Sequence, residues 1–291
     1  MWRARPGAPS TGCSRLAELG QAEVRRALEE DRAAEDQTTR LLGAATQAPG
    51  TLRFLAEARF VVAGIPVAKE VFAQLDGGAR LDPGVNEGAW AQRGDTLATV
   101  RGRTGALLSG ERVALNFLQR LCGVATLTRR AVDAVQGKAR ITHTRKTTPG
   151  LRALERYAVL TGGGVENRTS LADAIMWKDN HWELMSMGGG SLADALKRAP
   201  RGLPVIVEVE TEAQLGEALA AGAKHLLIDN QSPERLAEWA RRAGPDVTIQ
   251  ASGGITLENV ALYAAAGAHL ISMGALTHSA PSVSIKCELT S

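Results

Sequence analysis

From residue 139 onward the apolar positions fall into short continuous runs, each followed by a segment in which apolar residues recur every three to four positions. That alternation predicts strands over 139–144, 174–178, 204–209, 225–229, 247–251 and 269–273. Helices are expected over 151–160, 192–198, 212–221, 234–242 and 257–266. Strands alternating with helices imply a parallel sheet with right-handed crossovers, and six such units imply either an incomplete barrel or a doubly wound sheet. Both architectures gather their active sites at the strand C-termini.

The first half of the chain has a different pattern. Helical spacing over 16–30 places Leu16, Leu19, Val24 and Leu28 on one side of a packing helix. Over 51–81 the apolar runs are broken by Gly64-Ile65-Pro66 and Asp76-Gly77-Gly78, so short strands and turns are expected, with a helix near 68–75. The turn signals Asn86-Glu87-Gly88, Arg93-Gly94-Asp95 and Arg101-Gly102 extend this into a small β-rich module. Its turns offer no lysine for a tethered cofactor, which argues against a carrier domain. Ser109 is the expected cap of a long helix from Glu111 to about Val135. In that reading Arg112 falls in the first turn, where the helix dipole disfavours a cation; the plainer reading is a surface arginine paired with Glu111.

Composition narrows the function. The 291 residues are 44% hydrophobic and 22% charged, enough for a substantial core in one large or two ordinary domains. A net charge of +3 from 34 basic and 31 acidic residues, with 4% aromatic residues, argues against nucleic acid. Cys13, Cys122 and Cys287 have no metal or redox spacing, so a reducing cytoplasm is the expected setting. No apolar run approaches the roughly 18 residues of a membrane span, and residues 1–14 read as a tail without a secretory core.

The candidate chemistry sits at the predicted strand ends. Thr144-Arg145-Lys146-Thr147-Thr148-Pro149-Gly150 pairs two cations with hydroxyls and a turn into a helix, a receptor for carboxylate or phosphate. Lys178 ends the second strand, Glu208 and Glu210 the third, and Asp229 the fourth. Glu208 stands inside a nearly continuous apolar run, where a carboxylate needs a reason; Glu210 adjoins the next helix and reads more plainly as a surface charge. Ser252-Gly253-Gly254 is either a tight turn or a place where backbone N–H groups approach a phosphate, with Gly274, Ser272 and Thr277 as the adjacent half of a phosphate cup. These residue types point to an anion-rich small molecule with Mg²⁺ held by Glu208 and Asp229, since oxygen ligands suit Mg²⁺ and no Cys/His cluster suggests zinc.

Taken together, Ser109-Gly110-Glu111-Arg112 with Leu115-Asn116-Phe117-Leu118-Gln119, the 144–152 stretch, Lys178-Asp179-Asn180-His181, Ala251-Ser252-Gly253-Gly254-Ile255 and Gly274-Ala275-Leu276-Thr277-His278-Ser279 carry a resemblance. Over about residues 16–280 the chain resembles the quinolinate phosphoribosyltransferases. The resemblance implies an α/β fold: an N-terminal α/β sandwich-like domain over 15–118 and an open α/β barrel over 119–278. The segment 279–291 would return to the first domain. It implies transfer of phosphoribose from 5-phosphoribosyl 1-pyrophosphate to quinolinate with decarboxylation, by a cytoplasmic homodimer in which Arg112 enters the partner's site.

By the same resemblance Arg145, Arg168 and Lys178, with Lys146 beside them, clamp the quinolinate carboxylates and the donor. Glu208 and Asp229 hold Mg²⁺ on the donor, while Ser252, Gly253, Gly254 and Gly274 cradle its 5-phosphate. Lys146, Lys178, Glu208 and Asp229 are the expected catalytic set. The chain departs from the family where a His usually precedes the arginine: here Asn167 precedes Arg168. Asn cannot supply an imidazolium, and His143, on the strand face of Arg145, is a candidate substitute. The acidic Asp-x-Ser segment of the family is replaced by Ser282-Val283-Ser284-Ile285-Lys286, and Trp177, Trp182 and the 185–190 loop are unusual. These departures leave open a diverged paralogue with another pyridine or azole carboxylate, and a non-catalytic binding relative.

Overall fold

A computed structural model of the chain describes residues 19–290, so the tail over 1–14, Cys13 and Leu16 lie outside the described residues. The described residues form two compact units, one of 19–129, 147–163 and 277–290 and one of 130–146 and 164–276.

The first unit holds β1 (Pro49–Ala56), β2 (Phe60–Val61), β3 (Arg80–Pro83), β4 (Trp90–Ala91) and β5 (Thr96–Arg103). β5 lies between β1 and β3 and is antiparallel to both, while β2 and β4 form a separate pair. Leu52 and Phe54 on β1 and Leu97 and Val100 on β5 are buried, and helix Ile65–Leu75 contributes Val71 and Phe72. The Phe54 and Phe72 rings meet with centroids 6.1 Å apart in a tilted pair, the geometry aromatic quadrupoles favour. The chain's last strand, Ile285–Thr290, pairs antiparallel with β1, Phe54 opposite Cys287.

The long helix begins at Thr104 and runs to Ala134, directly out of β5. Ser109 is therefore inside it rather than its cap, and its hydroxyl donates to Asp36 Oδ2 at 3.0 Å. Arg112 consequently sits beyond the first turn, where the dipole penalty has faded. The first helix of the described residues runs from Gln21 to Glu30, with Val24 and Leu28 buried as its spacing requires.

In the second unit β6 (Arg140–Thr142), β7 (Ile175–Trp177), β8 (Val205–Val209), β9 (His225–Asp229), β10 (Thr248–Ser252) and β11 (Leu270–Ser272) make a parallel sheet in the order β6-β11-β10-β9-β8-β7. First and last strands are neighbours and the winding never reverses, so this is an α/β barrel left open between β6 and β7 rather than a doubly wound sheet. Part of the opening is occupied by the segment after residue 163: Val165 N–H donates to Ile141 O at 2.8 Å, and Thr142 Oγ1 donates to Val165 O at 2.9 Å. The helix Asp179–Met187, which periodicity did not reveal, follows β7. Among the described residues no helix is long and apolar enough to cross a membrane.

Candidate active site

Arg145, Lys146, Asn167, Arg168, Lys178, Glu208, Asp229 and Ser252, drawn from every part of the sequence reading of this unit, line one cavity of about 360 Å³. Thr144, Met176, Leu227 and Ser272 complete its wall. Leu227 and Asp229 lie two residues apart on β9, and Met176 on β7 is two residues before Lys178, whose backbone continues extended past the strand end, so the two-residue period turns each pair to the same side. Counting back two positions from Lys178 and from Asp229 is the signal that would have found these two apolar residues.

One side of the cavity is cationic. Burial lowers the pKa of Arg168, and the neighbouring Arg145 charge lowers it further, opposed by Glu208. Two guanidiniums near enough to repel in a partly buried site favour an anion between them. Arg145 Nε is buried without a hydrogen-bond partner, an arrangement that a bound carboxylate or phosphate would relieve.

The other side is acidic. Glu208 is 4% exposed, and burial raises its pKa; the Lys178 ammonium, to which its Oε2 is hydrogen-bonded, pulls it back, while Asp229 and Asp179 push it up. The strand that carries it is braced by the helix Asp179–Met187: Trp182 Nε1–H donates to Glu208 O at 2.8 Å. Lys178 N–H donates to His181 Nδ1 at 2.9 Å, tying the first turn of that helix to the strand end. Asp229 is held by Asn230, whose Nδ2 donates to Asp229 Oδ2 at 2.6 Å.

Glu208, Glu210 and Asp229 bring carboxylate oxygens within 4.8 Å of one another. Glu210, the first residue after β8, reaches the cluster from the loop that leads to the next helix. Its position between β8 and the helix Glu212–Ala220 is the helix-flanking one that the sequence suggests, but nothing local reveals that its carboxylate meets that of Asp229. An all-carboxylate cluster of which Glu208 and Asp229 line the cavity fits Mg²⁺, a hard cation that takes oxygen ligands.

The remaining expected site residues are placed as follows. Gly253 and Gly254 follow Ser252 with φ of 85° and 58°. A Cβ on Gly253 would come within 2.1 Å of Asn230 Oδ1 and 2.6 Å of its backbone N, whereas a Cβ on Gly254 would meet nothing within 4 Å. Gly253→Ala is thus expected to displace Asn230, and with it Asp229, lowering kcat/KM for the donor about 10²-fold. Gly254→Ala carries only the left-handed strain of about 1–2 kcal/mol and serves as its control in the same steady-state assay; equal effects of the two would remove the steric argument. Gly274 follows β11 but is not in the cavity wall, and Arg112 is an exposed residue of the other unit with no hydrogen bond or ion pair among the described residues. His143 does not line the cavity either; it is 2% exposed.

Comparison with known proteins matches both halves of the chain. A model of the quinolinate phosphoribosyl transferase N-terminal domain matches residues 36–122, and one of the C-terminal domain matches residues 124–288. The probable nicotinate-nucleotide pyrophosphorylase (carboxylating) of Bacillus subtilis is 42% identical over 241 residues, spanning 81% of this chain and 82% of that protein. The nicotinate-nucleotide pyrophosphorylase (carboxylating) of Mycobacterium leprae is 41% identical over 279 residues, or 91% and 95% of the two chains. Among solved structures, NadC from Streptococcus pyogenes superposes with a TM-score of 0.86 at 34% identity, over 93% of this chain and 96% of that one.

Proposed function

This chain belongs to the quinolinate phosphoribosyltransferase family, and from that premise we propose that it joins quinolinate to 5-phosphoribosyl 1-pyrophosphate, giving nicotinate mononucleotide, pyrophosphate and carbon dioxide in NAD biosynthesis. The observation that carries the reading is one cavity lined both by cations, with an orphaned Arg145 donor among them, and by the carboxylates of Glu208 and Asp229.

Arg145 and Arg168 receive the two carboxylates of the acid, fixing the pyridine ring so that its nitrogen faces the anomeric carbon. Lys146 and Lys178 stand against the phosphate and pyrophosphate charges of the donor. Glu208 and Asp229, with Glu210 near them, would hold Mg²⁺, which when bound offsets the charge that builds on the departing pyrophosphate. As the C–O bond to pyrophosphate breaks, the ring nitrogen supplies the electron pair for the new C–N bond and becomes a pyridinium. Its positive charge then stabilises the carbanion left when the adjacent carboxylate departs as carbon dioxide, and that carbanion takes up one proton. Ser252, Gly253, Gly254 and Gly274 cradle the 5-phosphate through backbone N–H groups. A second copy of the chain supplies Arg112, whose guanidinium is uncommitted by hydrogen bonds or ion pairs within its own described residues.

Mixing the purified protein with Mg²⁺, 5-phosphoribosyl 1-pyrophosphate and quinolinate is expected to yield nicotinate mononucleotide and carbon dioxide in equal amounts. Arg145→Ala is expected to lower kcat/KM for quinolinate by about 10²-fold, the scale of losing a charge-assisted contact. Turnover of another pyridine or azole carboxylate at a comparable rate would replace quinolinate as the acceptor, and donor binding without turnover of any acid would favour a binding protein.

A further inference from the structure

His143 is the first residue after β6, one of the few buried polar side chains in this unit, and the catalytic reading leaves it unused. Its imidazole contacts the segment that carries Asn167 and Arg168. Asn167 N–H lies 3.1 Å from His143 Nε2. A backbone N–H only donates, so Nε2 must be the bare, accepting nitrogen and the ring proton belongs on Nδ1.

Glu166 Oε2 stands 3.3 Å from the same Nε2, and an accepting nitrogen has no proton for it. The Asn167 bond and a Glu166 bond are therefore alternatives at one atom. Around this contact the Asn167 side chain closes a clip: its Nδ2 donates to His143 O at 2.9 Å, and its Oδ1 accepts from Arg168 N–H at 2.8 Å. Both ends of the amide are engaged by backbone, and the residue that follows, Arg168, lines the cavity.

We propose that His143 is a positioning residue for the acid acceptor, its Nε2 lone pair holding the Asn167 backbone and thereby setting where Arg168 stands in the cavity. The inference rests on the role given to Arg168 in acid binding. It differs from a direct substitution of His143 for a missing imidazolium, because Nε2 is taken up by the Asn167 backbone and the ring lies outside the cavity wall. Glu208, Asp229 and Ser252, which serve the donor, lie on other strands, so the clip acts on one substrate and not on the other.

Two variants separate the acceptor atom from the bulk of the ring. His143→Leu keeps volume without an acceptor, and His143→Gln offers an amide oxygen near the place of Nε2. His143→Leu is expected to raise KM for quinolinate about tenfold, the worth of one internal hydrogen bond, with KM for 5-phosphoribosyl 1-pyrophosphate unchanged; His143→Gln is expected to recover most of the loss. In an Arg168→Ala background His143→Leu is expected to add nothing, since its effect passes through that side chain. Nitrogen NMR of the unsubstituted enzyme at neutral pH is expected to show His143 as the Nδ1–H tautomer, a readout that needs no variant to fold.

An Nε2–H tautomer, equal loss in the Leu and Gln variants, a parallel rise in both KM values, or additivity with Arg168→Ala would overturn the proposal. Unchanged quinolinate affinity in Arg168→Ala alone would instead remove the acid-binding role of Arg168, and the clip's purpose with it, while turnover by the unsubstituted enzyme shows whether the overall function stands.

Discussion

Glu208→Gln is expected to lower kcat by about 10³-fold while leaving thermal stability unchanged or slightly raised. The side chain is buried, so its ionised form is disfavoured by lost hydration, and its raised pKa records that cost. Because the folded-state pKa lies above the unfolded one, the folded protein binds the extra proton between the two values. The contribution of Glu208 to stability therefore falls as pH rises through that window. Gln removes this dependence and leaves Lys178, which is 41% exposed, partly hydrated without its partner. Activity behaves oppositely, since the carboxylate works only when ionised. The acid limb of the kcat profile is expected above the ordinary glutamate range and should move to lower pH as Mg²⁺ concentration is raised, proton and cation competing for one group. A Gln variant with near-normal kcat, or an acid limb indifferent to Mg²⁺, would sever Glu208 from the chemistry.

Glu155→Ala is expected to destabilise the first unit by about 3–5 kcal/mol, a drop in Tm on the order of 10 °C. Glu155 is fully buried in the helix Arg152–Thr161. Its Oε1 accepts from Arg120 Nη2 at 2.7 Å, from Arg120 Nε at 3.1 Å and from Thr148 Oγ1 at 2.8 Å, and its Oε2 from Thr148 N–H at 3.0 Å. Arg120 also donates to Ala280 O at 2.7 Å and to Thr277 O. Removing the carboxylate strands a largely buried guanidinium and leaves the Thr148 N–H, just past the Arg145-Lys146 pair, without its acceptor. Replacing both charges, Arg120→Met with Glu155→Leu, is expected to recover part of the loss, because no lone charge remains buried. Differential scanning calorimetry of the single and double variants decides the matter: a double variant less stable than Glu155→Ala alone would show that Arg120's carbonyl contacts, rather than the ion pair, hold the segment.

Much of this was legible in the sequence because it is local. Continuous apolar runs placed the barrel strands, and period-3.6 patterns the helices other than Asp179–Met187, to within a few residues, and the rule that α/β sheets work at their strand C-termini singles out Arg145, Lys178, Glu208 and Asp229 from sequence alone. The resemblance carried by those motifs named the family that the comparisons identify.

Other features depend on which segments meet. The choice between an open barrel and a doubly wound sheet turned on β6 pairing with β11, a contact between residues far apart in the chain that no local pattern encodes. The start of the long helix shifted to Thr104 because β5 runs straight into it, a continuity that outweighs the capping propensity of Ser109. Glu210 joins the carboxylate cluster only in the fold, because Asp229, which completes that cluster, sits at the end of the neighbouring strand β9. His143 is the clearest instance. As a residue type it offers a charge for a ligand, but the Asn167 N–H that meets Nε2 comes from 24 positions away and can only donate, and that single long-range contact makes the ring an acceptor for the backbone instead.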